Sequence, residues 1–172
     1  IIDFKPTQGD LRESLQIPKD AIVFGRHGGY DSFDIHFVKE AIIEFAKTNP
    51  VYFLFMNTDK FSNDETPNII YLPSTSDNTK KSMFINTCDA MLHARIQGES
   101  FGIAIAEFSV SKKPVITWKH KENDTCGIKI DMEHFNHIDI LGDKGIYYTN
   151  KQELLDIFKN FKKTTDDSLD CY

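Results

Sequence analysis

The run Val51-Tyr-Phe-Leu-Phe-Met56 constrains this chain more than any other stretch. It is apolar throughout, with no in–out alternation, so a strand made from it must be covered on both faces. That is the condition of a strand inside a parallel sheet flanked by helices. Shorter runs of the same kind recur at Ala21–Gly25, Asn68–Leu72, Cys88–His93 and Val115–Trp118, with a last one ending at Tyr148. Helical patterns separate them. Asp34–Thr48 sets Ile35, Val38, Ile42, Phe45 and Ala46 on one face, with Asp34 as the N-cap or first-turn acid. Ser74, Thr75, Ser76 and Asp77 offer caps for a helix reaching Thr87. Phe101–Val110 and Lys151–Phe161 complete the set, and Asp10–Pro18 reads as a short leading helix stopped by Pro18. Strands alternating with helices predict an α/β fold, an open parallel sheet with helices on both faces and right-handed crossovers.

The length, 172 residues, supports one domain with a full core. A net charge of −6 argues against a nonspecific nucleic-acid binder, so no nucleic-acid partner is expected. No apolar run approaches the roughly 20 residues that cross a bilayer. Cys88, Cys126 and Cys171 have neither metal nor disulfide spacing, which points to reduced thiols and a cytoplasmic compartment, its membrane periphery included. His134 and His137 can share a helical face, but no cysteine or acid completes a metal set. The polar stretch Lys119–Cys126 reads as a loop able to cover a site, and Ile128–Asp131 as extended.

The chemistry concentrates between Arg95 and Trp118. Gly98 and Gly102 flank a turn after a buried strand, and a helix follows at once. Glycine lets backbone N–H groups approach a ligand, and a helix N-terminus attracts phosphate. Glu99 precedes that helix and Glu107 lies a turn and a half inside it. Carboxylates on either side of a phosphate can accept bonds from sugar hydroxyls. The same spacing also fits an ordinary strand–helix–strand crossover in which Glu99 merely complements the helix dipole. After the first strand, Gly25, Gly28 and Gly29 do not fall at dinucleotide-fingerprint spacing. Arg26 is there either a surface arginine or a phosphate ligand.

Glu99 and Glu107 with seven residues between them, the run Glu99-Ser-Phe-Gly102 and then Lys113-Pro-Val-Ile116 resemble the E-x7-E signature of the retaining GT-B glycosyltransferases, the glycosyl transferases group 1 (GT4-like) family. Ser100 stands for the family's first glycine and Lys112-Lys113 for its later one. The order of elements from Leu11 to Phe161 is similar to the C-terminal, nucleotide-sugar-binding half of such enzymes, a Rossmann-like domain. The resemblance implies a connector over residues 1–10 from an N-terminal domain of the same parent chain, a donor-binding domain over 11–163 and a flexible tail over 164–172.

It further implies retaining transfer of a sugar from a nucleotide-diphosphate donor to a glycan, lipid or protein acceptor, without a metal; the chain has no Asp-x-Asp motif. Glu99 and Arg26 become the catalytic candidates. Glu99 would hold sugar hydroxyls, Glu107 the ribose, and Gly25, Arg26, Ser100 and the backbone at Phe101, Gly102 and Ile103 the diphosphate. Leu72 and Pro73 would meet the base. His93, where relatives have proline, reads as stabilising the loop. The chain departs from the family at Asp31, where a lysine usually assists the arginine; either Arg26 and the helix suffice, another basic group moves in, or activity is altered. A non-catalytic nucleotide or sugar-phosphate module, and a flavodoxin-like interaction domain, are the other readings. The fragment alone is expected to be inactive.

Overall fold

The computed structural model describes residues 4–63, 65–120, 135–164 and 166–172. Six strands form one sheet: β1 (Val23–His27), β2 (Tyr52–Met56), β3 (Ile69–Leu72), β4 (Ala90–His93), β5 (Val115–Trp118) and β6 (Ile146–Tyr148). Their order is β3-β2-β1-β4-β5-β6, and every pairing is parallel. Between them lie α1 (His36–Thr48), α2 (Asn78–Thr87), α3 (Ile103–Val110), α4 (Asn136–Leu141) and α5 (Lys151–Asn160).

Alternate strand residues enter two different cores, as side chains in a pleated strand must. Phe24, Phe53, Phe55, Leu92 and Ile116 meet Val38, Ala41 and Ile42 of α1 and Leu154 and Phe158 of α5. Val23, Leu54, Met56, Met91 and Val115 meet Phe84 and Ile85 of α2, and Ile105 and Phe108 of α3, on the opposite face. The Phe24 ring lies 5.5 Å from Phe53, 4.9 Å from Phe158 and 5.1 Å from Phe161, a cluster that ties α5 across the sheet centre.

Local signals fix the helix starts unevenly. Asp77 caps α2 by accepting from the backbone N–H of Thr79 and Lys80, and Asn150 caps α5 by accepting from Glu153. Asp34 does not cap α1. The helix opens from Ile35 without a side-chain cap, and Asp34 Oδ1 instead accepts from the Ile96 N–H at 2.8 Å. Asp10–Pro18 forms turns, not the expected helix. It makes one α-type bond, Leu15 N–H to Leu11 O at 2.9 Å, before Gln16 turns left-handed at φ 57°. So short a stretch cannot repay helix nucleation, and Arg12 anchors it by donating to the carbonyls of Pro18, Ala21 and Thr87 and to Asp89. The α3 helix starts at Ile103, two residues later than expected. The stretch 121–134, including the expected extended segment Ile128–Asp131 and His134, lies outside the described residues. No described helix is long and apolar enough to cross a membrane.

Candidate functional site

β1 and β4 are neighbours whose chain connections run away from each other, β1 to β2 and β4 to β5. The crevice beyond their C-terminal ends is where an open α/β sheet binds ligands. A cleft of about 450 Å³ occupies that place, between Gly28–Ser32 on one side and Arg95 with Glu99–Ala104 on the other. Gly102 makes the turn into α3 with φ 76° and ψ 69°, and no side chain caps the helix. A Cβ there would come within 3.0 Å of Ile105 Cδ1 and 3.3 Å of Glu99 Cβ, so the position calls for glycine. The first-turn N–H groups of an eight-residue helix thus begin at the cleft wall without a side-chain partner.

Arg26 lies behind this wall rather than on it. It is 4% exposed, within β1, which runs two residues further than the sequence pattern indicates. Its guanidinium donates to Asn57 O at 3.1 Å, Gly29 O and Ser32 Oγ at 2.7 Å, and Thr58 Oγ1. Burial lowers its pKa to about 10, against the opposing pull of Glu99 and Asp34. Arg26 therefore shapes the Gly29–Ser32 turn that forms one lip of the cleft. Gly25 is deeper still: it packs against Cys88 and Phe108 in mid-strand.

The cation that lines the cleft is Arg95, which the sequence reading overlooked; its side chain is 39% exposed. Its Nη1 lies 2.9 Å from Glu99 Oε2, and His93 Nε2 lies 3.6 Å from Glu99 Oε1. Partial burial pushes the Glu99 carboxyl up, but His93 and Arg95 outweigh it and bring it down to about 2. Asp31 also lines the cleft and is exposed. Ser100, Phe101, Gly102 and Ile103 line it as well, Phe101 and Ile103 as exposed apolar groups at its mouth.

Glu107 is not on this wall. It is 4% exposed, paired through Oε1 to Lys81 Nζ and through Oε2 to His27 Nε2 at 3.1 Å. Burial pushes this carboxyl up too, and His27 and Lys81 more than offset it, so it is lowered and stays ionised. The His27 ring stacks on Phe108 at 5.7 Å, and Lys81 Nζ stands 5.5 Å from the Phe4 ring. Leu72 and Pro73 close β3 at the sheet edge, where Leu72 O already accepts from Asn57 N–H. Neither lines the cleft.

Behind Glu99 a polar cluster crosses three elements. His93 Nδ1 is 2.8 Å from Thr117 Oγ1, which is 3.3 Å from His137 Nε2, and His137 Nδ1 is 3.3 Å from Glu99 O. Burial, with help from His93, lowers His137 to about 4, so it is neutral near pH 7. Tyr148 Oη holds the His93 carbonyl at 2.7 Å. His134, which can share a helical face with His137, lies outside the described residues; the described contacts of His137 lie here. Residues 166–172 run along α3, with Ser109 Oγ donating to Leu169 O and Tyr172 Oη to Phe101 O.

No protein-family model and no curated protein sequence matches this chain. Solved structures do share its fold. HepE of Anabaena in complex with UDP-glucose superposes with a TM-score of 0.61 at 17% identity, over 87% of this chain and 41% of its own. WaaG, a glycosyltransferase involved in lipopolysaccharide biosynthesis, gives 0.60 at 13% identity, over 93% and 42%. The C-terminal domain of a glycosyl transferase group 1 family protein (LpcC) from Francisella tularensis gives 0.61 at 15% identity, over 98% and 88%. The fold is therefore an α/β, Rossmann-like one, that of the C-terminal half of GT-B structures. The chain spans about two-fifths of the length of HepE and WaaG and nearly all of the Francisella domain.

Proposed function

We propose that this chain is the donor-binding domain of a GT-B glycosyltransferase, one that takes a nucleotide-diphosphate sugar and transfers the sugar with retention. The carrying observation is that the uncapped start of α3, Arg95 and Glu99 meet in one cleft at the switch between β1 and β4. The helix N–H groups and Arg95 supply positive potential for a diphosphate, and a low-pKa Glu99 accepts hydroxyl hydrogen bonds from the sugar. Stabilising the departing diphosphate is then the catalytic contribution, and in this reading it needs no metal. Arg26 acts by fixing the lip of the cleft. Glu107, which this reading gives to the ribose, is paired with Lys81 and His27. HepE structures that hold UDP-glucose, UDP with glucose, and UDP support a uridine donor as the first to try.

The rest of the machinery, an N-terminal domain carrying the acceptor site in the same parent chain, follows from the family reading, as does a cytoplasmic setting. Isothermal titration of the domain with UDP, GDP and ADP, beside Glu107→Ala, tests the proposal. Selective binding of one nucleotide, weakened in the variant, is expected. Equal affinity of wild type and variant sinks the assigned role of Glu107. A second reading, nucleotide binding without turnover, is favoured by one observation: the exposed acid Asp31 lines the cleft. Turnover by the full-length parent chain separates the two.

A further inference from the structure

The cluster behind Glu99 has a direction. We infer that Thr117 and His137 are positioning residues for Glu99, acting through a hydrogen-bond circuit that runs from His93 Nδ1 through Thr117 and His137 to the Glu99 backbone carbonyl. The circuit joins the end of β4, the end of β5, the start of α4 and the loop before α3. None of these four residues is near another in sequence except His93 and Glu99.

The donor count fixes the direction. Glu99 O is a carbonyl and can only accept. It accepts from the His137 backbone N–H at 3.4 Å and faces His137 Nδ1 at 3.3 Å, so that ring nitrogen carries the proton. His137 is neutral, so its Nε2 is an acceptor and takes the single hydroxyl proton of Thr117. The Thr117 oxygen is then left with lone pairs toward His93 Nδ1, 2.8 Å away, and His93 must donate there. Its other nitrogen, Nε2, faces the Glu99 carboxylate at 3.6 Å, within ion-pair reach but longer than a hydrogen bond. Reversing the circuit would set the bare Nδ1 of His137 against a carbonyl lone pair.

The charged groups around His93 suit this state. Glu99 faces it from the loop before α3, with Arg95 beyond Glu99, and His137 faces it as a neutral ring from α4. Tyr148 of β6 binds its backbone carbonyl. Glu99 is thus held at the side chain by His93 and Arg95, and at the backbone by His137. Its orientation toward the cleft is set by residues on β5 and α4 that do not line the cleft.

The test uses the whole 172-residue chain, nitrogen-15 and carbon-13 labelled. Long-range proton–nitrogen spectra are expected to show a proton on Nδ1 of His93 and His137 protonated on Nδ1 alone. A His93 without a proton on Nδ1, or a His137 proton on Nε2, overturns the circuit. Thr117→Val keeps the shape and removes the hydroxyl. It is expected to remove the proton from His93 Nδ1 and to raise the Glu99 side-chain titration, while Thr117→Ser restores both. If the valine variant does not fold, the wild-type tautomers and the serine variant still decide. One further arm rests on the proposed function: Thr117→Val lowers the affinity for UDP-glucose about tenfold more than that for UDP. Correct tautomers with no UDP-glucose binding would refute the donor reading and leave the circuit standing; altered tautomers would refute the circuit whatever binds.

Discussion

Arg95 Nη1 lies 2.9 Å from Glu99 Oε2, four residues away along a loop that is not helical. Against the penalty of partial burial, His93 first and then Arg95 depress the Glu99 carboxyl from 4.5 to about 2. A carboxyl lowered on folding stabilises the native state above its unfolded pKa and loses that contribution as pH falls through the folded one. The window for Glu99 therefore runs from about 4.5 down to about 2. Urea midpoints taken through this window are expected to fall with acidity, and less steeply in Arg95→Ala. Parallel curves would remove Arg95 as a cause of the shift.

Arg95 also carries a prediction about ligands. It is the charged donor lining the cleft, whereas the Nη groups of Arg26 are committed to Asn57, Thr58, Gly29 and Ser32. Arg95→Ala should weaken UDP binding about tenfold, or ~1.4 kcal/mol, and flatten its dependence on salt. Titrations at two ionic strengths check both. An unchanged affinity would return the diphosphate to the helix N-terminus alone.

Glu107 depends on Lys81. Removing one partner of a buried pair leaves an uncompensated charge, which costs more than the pair itself contributes. Lys81→Met is expected to destabilise the fold by about 2 kcal/mol, since His27 remains. Adding Glu107→Gln should recover part of the loss, and a double-mutant cycle in urea measures the coupling. Simple additivity would mean that Lys81 and Glu107 do not communicate.

The sheet was legible because strand burial leaves a mark on sequence: Val51–Met56 and its counterparts carry it. Arg26, Leu72 and His93 lie at or next to the C-terminal ends of β1, β3 and β4, and Glu99 lies in the loop after β4. Which of them faces the cleft was not legible. Arg26 and Arg95 are both arginines near strand ends, and only packing distinguishes the one that turns inward among carbonyls from the one that stays at the surface. Lys81 meets Glu107, and Thr117 meets both histidines, across sequence separations no local pattern encodes. Asp34 shows the reverse failure. A good cap residue stood at a helix start, but a loop N–H from Ile96 was its partner.

Gly25 separates packing from binding. A Cβ on this residue would overlap Cys88 Sγ and crowd Cys88 Cβ at 3.0 Å, with Phe108 Cζ in ordinary contact at 3.6 Å. β1 runs tight against α2 and α3 here, and Cys88 is wholly buried, its thiol pushed up by desolvation. Gly25→Ala is expected to cost about 3 kcal/mol through overpacking. Cys88→Ala removes the sulfur that the new methyl would strike, so the double variant should be more stable than Gly25→Ala alone, as read from urea midpoints. The double variant then answers the binding question. If glycine is needed at this position for close packing of α2 and α3, the restored fold should bind UDP as wild type does, within about twofold. A loss of affinity in a variant of recovered stability would instead give Gly25 a direct part in donor binding.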